Sequence, residues 1–396
     1  MRIETGRGGL ALAALLGIWS VSALTSLPGL AVSPILDKLA VIFPHSSELD
    51  VQMLTSLPSL MIIPFVLLAG HFTERVGYIR LLVWGLSLFL LSGVLYFFCT
   101  DMWQLIAVSA LLGVGAGIIV PLSTALISRF FVGEYRTRQF GYSSAITNVM
   151  LVLATALTGY LANVQWRLPF VVYLFPIFSI LLIPALNRAD RGIAAFEDKS
   201  TDYVCHGGEI DYRHLAGYMI YYLLITYLTI IISFNLPFLM GEYGHGSGAS
   251  GVMISLFFLA MMMPGFFLQP ILRVMRGRVE SCCLTMIAVG LLIIYMYNSL
   301  ITIAAGCIIT GVGYGIAQPY LYDRTADVAS PQRVSFALAL LMAMNYVAIL
   351  VCPFFVDYMQ DLSHVKSERF AFGLNVVIAV LALFVMLVYR VVKLYK

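Results

Sequence analysis

Long apolar runs separated by short polar joints make up most of this chain. Twelve such runs lie near residues 9–33, 50–69, 79–99, 103–129, 139–162, 168–186, 214–239, 250–271, 280–298, 301–322, 333–356 and 370–392. A helix needs about 20 apolar residues to cross a bilayer. Closed β-barrels are the other spanning solution, and they require segments of about ten residues with alternating polarity. No such alternation is visible. The pattern predicts an all-α polytopic membrane protein with twelve transmembrane helices. The first run exceeds the roughly 7–15 residues of a signal-peptide core and continues through Pro28 and Pro34, so it is read as a mature helix.

Composition agrees with this reading: 61% of the 396 residues are hydrophobic and 11% charged. A soluble domain carries roughly 25% charged residues. With the N-terminus inside, 19 Lys and Arg fall on the cytoplasmic side and four (Lys38, Arg167, Lys366, Arg369) on the other. The positive-inside rule then places both termini in the cytoplasm, and the expected location is the plasma (inner) membrane. The six cysteines show no C-x-x-C spacing, so neither a metal site nor a disulfide framework is expected, and no cofactor is implied. A net charge of +3 follows from topology and points to no nucleic-acid partner.

The longest polar joint, residues 187–213, divides the chain into an N-terminal six-helix bundle (1–186) and a C-terminal one (214–396). The halves repeat each other. "GVGAGIIVP" at 113–121 returns as "GVGYGIAQP" at 311–319, an offset of 198. Pro64 and Gly77 match Pro264 and Gly277 at 200, Arg136 and Asn148 match Arg333 and Asn345 at 197, and Arg167 and Phe170 match Arg369 and Phe372 at 202. Two parallel halves related by an axis along the membrane normal are one transporter architecture. Gly113 and Gly117, like Gly311 and Gly315, form G-x-x-x-G faces suited to close helix packing.

Between the second and third runs the sequence reads "GHFTERVGYIR", residues 70–80. This resembles the loop signature of the major facilitator superfamily, approximately G-x-L-x-D-R-x-G-R-R/K. Gly70, Arg75 and Gly77 match it, Glu74 replaces Asp, and Arg80 follows Tyr78 and Ile79, which occupy the two basic positions. The resemblance covers essentially the whole chain. It implies two pseudo-symmetric six-helix bundles, a small-molecule substrate, alternating access and a gating role for Glu74. Other family signatures are degraded: Ser109 stands where proton-coupled members place an arginine, and residues 148–162 keep only Gly159 of the antiporter motif.

Arg136 and Arg333 begin the fifth and eleventh runs, where the helix dipole disfavours a cation. Each should seek a carboxylate, and Glu74, Glu134, Asp323 and Asp327 share that face. Gly70, Glu74, Arg75, Gly77, Arg136, Asp323, Arg324 and Arg333 are therefore the candidate cytoplasmic gate. Asp323 is the best internal candidate for proton coupling; uniport is the alternative.

Buried charge is costly in lipid and marks transport paths. No ionisable residue lies near the centre of any predicted helix. The cavity candidates are Trp19, Asn148, Tyr222, Asn235, Tyr314, Gln318 and Asn345, in which the asparagines either bond across helices or meet substrate. An uncharged aromatic cavity suits neutral or amphipathic organic molecules. The chain is accordingly expected to be a secondary transporter, functional as a monomer and exporting such molecules in the manner of drug efflux. Uptake or facilitated diffusion of a small neutral nutrient is the alternative. Without a catalytic cluster, a membrane enzyme or lipid-handling protein is the distant one.

Overall fold

In lipid every backbone N–H and C=O must be satisfied within the protein, so apolar runs of this length become helices. The computed structural model describes residues 2–5, 9–28, 31, 39, 42–44, 48–162, 164–199, 210–243, 247–275, 277–330, 333–364 and 367–394. A short antiparallel hairpin, β1 (Arg2–Glu4) and β2 (Gly9–Ala11), leads into α1 (Leu12–Leu24). Then follow α2 (Glu48–Val76), α3 (Tyr78–Leu95), α4 (Met102–Phe130) and α5 (Gly133–Leu161). A 3-10 segment (Leu168–Leu174) precedes α6 (Pro176–Lys199). The rest comprises α7 (Tyr212–Glu242), α8 (Ser247–Phe266), α9 (Leu268–Met275), α10 (Val279–Met296), α11 (Leu300–Asp327), α12 (Val334–Ser363) and α13 (Glu368–Leu394).

Among the described residues ten helices are long and apolar enough to cross a membrane, and α8 with α9 form a further apolar pair bent by 81°, an eleventh span if the two are taken as one. The bend follows Pro264, which removes a backbone donor and crowds the preceding turn. The first run differs from the expectation of one helix over 9–33. Gly9–Ala11 is strand, and α1 has 13 residues and gives way to a turn at Thr25. Thr25 Oγ1 bonds the Ser22 carbonyl at 2.8 Å, and Pro28 biases Leu27 away from helix. Residues 29–30 and 32–33 lie outside the described part.

The chain divides into two compact units. The first comprises Met1–Tyr218 with Tyr322–Tyr346; the second comprises Met219–Leu321 with Val347–Lys396.

In the first unit α4 packs on both α2 and α3, and glycines set the spacing. A Cβ on Gly113 would lie 2.6 Å from the Pro58 carbonyl oxygen, and one on Gly117 2.7 Å from Phe65 Cβ, both on α2. Gly115, on the next face, would meet the Phe89 nitrogen of α3 at 2.7 Å. A polar seam joins α1 to α5: Ser26 Oγ donates to the Thr147 carbonyl at 3.0 Å, and Thr147 Oγ1 to the Ser22 carbonyl at 3.0 Å. Arg167 Nη2 donates to the Cys99 carbonyl at 3.1 Å, just beyond the end of α3.

The second unit repeats these devices. A Cβ on Gly311 would lie 2.6 Å from the Phe257 carbonyl oxygen of α8, Gly315 abuts Met261 of α8, and Gly313 would meet the Cys283 carbonyl oxygen of α10 at 3.0 Å. Arg369 Nε donates to the Tyr295 carbonyl near the end of α10 at 3.1 Å. The sequence repeat is therefore a repeat of helix packing: the same letters bring the same backbones together twice.

Candidate functional site

The arginine-rich end of the first unit holds most of the candidate gate. Gly70 sits in the last two turns of α2 against the start of α12. A Cβ there would be 2.5 Å from Ala339 Cβ and 3.3 Å from Phe336 Cα. Gly77 joins α2 to α3 with φ +90°, a left-handed value that disfavours side chains, and its repeat partner Gly277 has φ +75°. Nothing crowds Gly77. The two matched glycines thus serve different needs, space at Gly70 and backbone conformation at Gly77. Arg75 is exposed. Glu74 lies in the last turn of α2, and its side chain falls outside the described part.

Arg136 is in the first turn of α5 and finds its carboxylates on the last turns of α11. Its Nε donates to Asp323 Oδ1 at 2.8 Å, and its Nη2 bonds Asp327 Oδ1. Thr137 Oγ1 donates to the other Asp323 oxygen at 2.7 Å. Side-chain exposure is 13% for Arg136 and 14% for Asp323, against 46% for Asp327, so the Arg136–Asp323 bond is largely shielded from water. Each charge is misplaced for its own helix: a cation at a helix N-terminus, two anions at a helix C-terminus. Joined, they cancel that cost; parted, each destabilises the helix end that carries it. Arg324 lies 3.8 Å from Asp327 on the exposed side of the cluster. Arg333, the repeat partner of Arg136, is exposed and makes no ion pair among the described residues.

One cavity candidate of the first unit and three of the second each take part in a local aromatic–amide cluster. In the first unit Trp19 Nε1 donates to Gln139 Oε1 at 3.0 Å, and its ring meets Tyr142 edge-on at 6.1 Å. Asn148 is buried and donates to the Ser144 carbonyl of its own helix at 2.9 Å. Asn345 of α12 is half-buried. In the second unit Tyr222 stacks on Tyr314 at 6.5 Å, and Gln318 Nε2 donates to Tyr222 Oη at 3.1 Å. Tyr314 Oη lies 3.3 Å from Thr226 Oγ1. Two i,i+4 pairs, Tyr222–Thr226 on α7 and Tyr314–Gln318 on α11, therefore face each other. Asn235 is half-buried on α7.

The family model described as "Major Facilitator Superfamily" matches residues 9–202 and 215–394. The chain belongs to the Major Facilitator Superfamily. Over 115 residues it is 29% identical to the quinolone resistance protein NorA of Staphylococcus aureus, a match covering 29% of each chain. Over 128 residues it is 28% identical to the multidrug transporter protein MdtP of Bacillus subtilis, covering 32% of this chain and 23% of that one. These alignments span less than a third of the curated relatives they match. The human organic anion transporter MFSD10 shares the fold with a TM-score of 0.71 at 18% identity, covering 94% of this chain and 97% of its own. The proton:xylose symporter XylE does so with 0.72 at 13%, covering 94% of both.

This facilitator is thus an integral membrane transport protein with the superfamily's fold. Sequence reasoning missed Thr137, Gln139, Tyr142 and Thr226 as partners of the candidate residues. Thr137 carried a usable signal, as a hydroxyl adjoining an arginine at a helix start. Gln139 carried none, because its partner lies 120 positions away.

Proposed function

We propose that this superfamily member is a secondary active transporter that works by alternating access and exports neutral or amphipathic organic molecules. The observation that carries the substrate class is the pair of uncharged aromatic–amide clusters, Trp19–Gln139–Tyr142 and Tyr222–Gln318–Tyr314. Rings offer broad apolar faces, while amide and phenol groups offer a few directional bonds, a combination that tolerates varied ligands. The short stretches of similarity to a quinolone resistance protein and a multidrug transporter protein support a drug-like substrate class. Both termini are cytoplasmic, in the plasma (inner) membrane, and the working unit is one chain.

Arg136, Thr137, Asp323 and Asp327 act as the cytoplasmic latch, together with the close seating of Gly70 on α12. Asp323 is the residue to which we assign proton coupling: without its charge Arg136 is held by Asp327 alone, and the latch is weakened. The test is accumulation of neutral and cationic fluorescent amphiphiles in cells with and without the protein, each repeated with a protonophore. Lower accumulation that the protonophore abolishes, and that Asp323→Asn also abolishes, is expected. Equal accumulation of every dye in both cell lines would overturn export. Export insensitive to the protonophore would overturn proton coupling at Asp323.

A further inference from the structure

Two short strands, Arg2–Glu4 and Gly9–Ala11, lie outside the twelve-helix plan. Arg2 pairs with Ala11, Ile3 with Leu10 and Glu4 with Gly9 in an antiparallel ladder. A hairpin of two strands is marginal on its own in water. This one is anchored at three points. β2 runs directly into α1, and it also packs against α6. The Thr5 carbonyl accepts the Val132 N–H at 3.1 Å, and Val132 is the N-cap of α5, which has no side-chain cap of its own. The Tyr135 hydroxyl donates to Glu4 Oε2 at 2.9 Å. Thr5 and Leu10 are each 5% exposed, so the base of the hairpin is buried against the helices.

Two of those anchors lie immediately before the latch arginine. Val132 and Tyr135 lie four residues and one residue before Arg136, on the same turn. A helix start with unsatisfied donors frays unless something holds it. The Thr5 carbonyl and the Glu4 carboxylate supply that hold from outside the helix, and β2 makes it continuous with α1. We infer that the hairpin is a brace that fixes the first turn of α5, with Glu4 and Tyr135 as positioning residues that keep Arg136 and Thr137 aimed at Asp323. A tilt of α1 would be passed through the hairpin to that turn, so movement of the first helix reaches the latch without touching it. This inference rests on reading Arg136 as the cytoplasmic latch.

The test uses the full chain with its six native cysteines replaced and Ser335→Cys as reporter. Ser335 is fully buried at the start of α12, and cysteine is close to it in size. Inside-out vesicles expose the cytoplasmic face to a membrane-impermeant thiol reagent, and the labelling rate reports opening. One hydrogen bond of this kind supports an increase of about two- to fivefold in Glu4→Ala and in Tyr135→Phe. Glu4→Gln, which keeps an acceptor, should restore a rate near that of the unaltered brace. Combined with Arg136→Gln, neither change should add to the rate that Arg136→Gln produces alone. An unchanged rate in both brace variants, with Arg136→Gln raised, would overturn the brace and leave the latch standing. Additive effects would overturn its action through Arg136. An unchanged rate in Arg136→Gln itself would overturn the latch and the brace together.

Discussion

A single methyl group at residue 70 should pry the cytoplasmic side open. In Gly70→Ala the new carbon would sit 2.5 Å from Ala339 Cβ, where carbon atoms normally rest about 3.5–4.0 Å apart. The next neighbours are Phe336 Cα at 3.3 Å and the Ser335 carbonyl oxygen at 3.5 Å. None of these atoms can swing aside by a change of rotamer, because each is backbone or fixed directly to it. Relief therefore requires α2 and α12 to separate by roughly an ångström, consistent with an overpacking cost of about 1–3 kcal/mol. The cost falls on the latched arrangement. An equilibrium between latched and open forms would then shift by about 5- to 150-fold toward open. The Ser335→Cys labelling assay in inside-out vesicles measures that shift. Ala339→Gly removes the nearest colliding carbon and should return most of the effect. Unchanged labelling in Gly70→Ala, or a rise that Ala339→Gly leaves untouched, would refute the claim that this close approach seals the cytoplasmic side. A thermal melt in detergent separates the alternatives, since general loosening would lower the midpoint in the double variant as well.

Gly77→Ala acts through backbone conformation instead, because its φ of +90° with ψ of 149° is a combination nearly confined to glycine and nothing crowds it; a loss of about 1–3 kcal/mol in thermal stability, shared by Gly77→Asn, would bear that out. Gly311→Ala should destabilise by about 1–3 kcal/mol, since the added carbon meets the Phe257 carbonyl at 2.6 Å, while Gly217→Ala in open space should be neutral or mildly stabilising. Detergent melts of the two variants that fail to differ would sink the packing role of the repeated phrase. Tyr222→Phe removes the Gln318–Tyr222 hydrogen bond and the phenol group itself, and should raise KM for amide- or hydroxyl-bearing dyes severalfold while sparing purely apolar ones; an equal loss for both classes would show that the hydroxyl serves packing.

Most helix positions and the repeated glycines were legible in the sequence, because each is local: length and spacing need no knowledge of the fold, though the first run proved to be a strand, a 13-residue helix and a turn. The ion pair of Arg136 was half legible. The misplaced charge of Arg136 demanded a carboxylate, and Asp323 with Asp327 four residues on was the pair with the matching face. Which carboxylate would win among Glu74, Glu134 and the two aspartates depended on how the helices approach, and no local signal encodes that. The Trp19–Gln139 bond was illegible for the same reason. The hairpin failed differently. Three-residue strands are too short to show a period, and Gly9–Ala11 adjoin an apolar run that reads as the start of α1.

Among the described residues Arg136 is ion-paired with two aspartates and its repeat partner Arg333 with none, and the duplicated plan explains the difference. The offset of 198 that carries Gly113 to Gly311 also carries Ala125 to Asp323 and Arg129 to Asp327. In the first copy the two carboxylate positions are therefore a buried alanine and a cation. Arg129 bonds Asp190 and lies over the Tyr78 ring at 5.1 Å, which ties α4 to α6 and α3 within the first unit. Arg333 consequently has no acidic pair at the equivalent place and faces solvent, whereas Arg136 has two. Packing needs symmetry, since both copies must bring their helices together at the same glycines. A latch does not need it, because one set of charges can be joined or parted as a single switch. A second buried set would have to release in step with the first, and each parted charge would again weigh on its own helix end. The repeat thus keeps its glycines and its carbonyl-capping arginines in both copies, and places the aspartates that meet Arg136 in one.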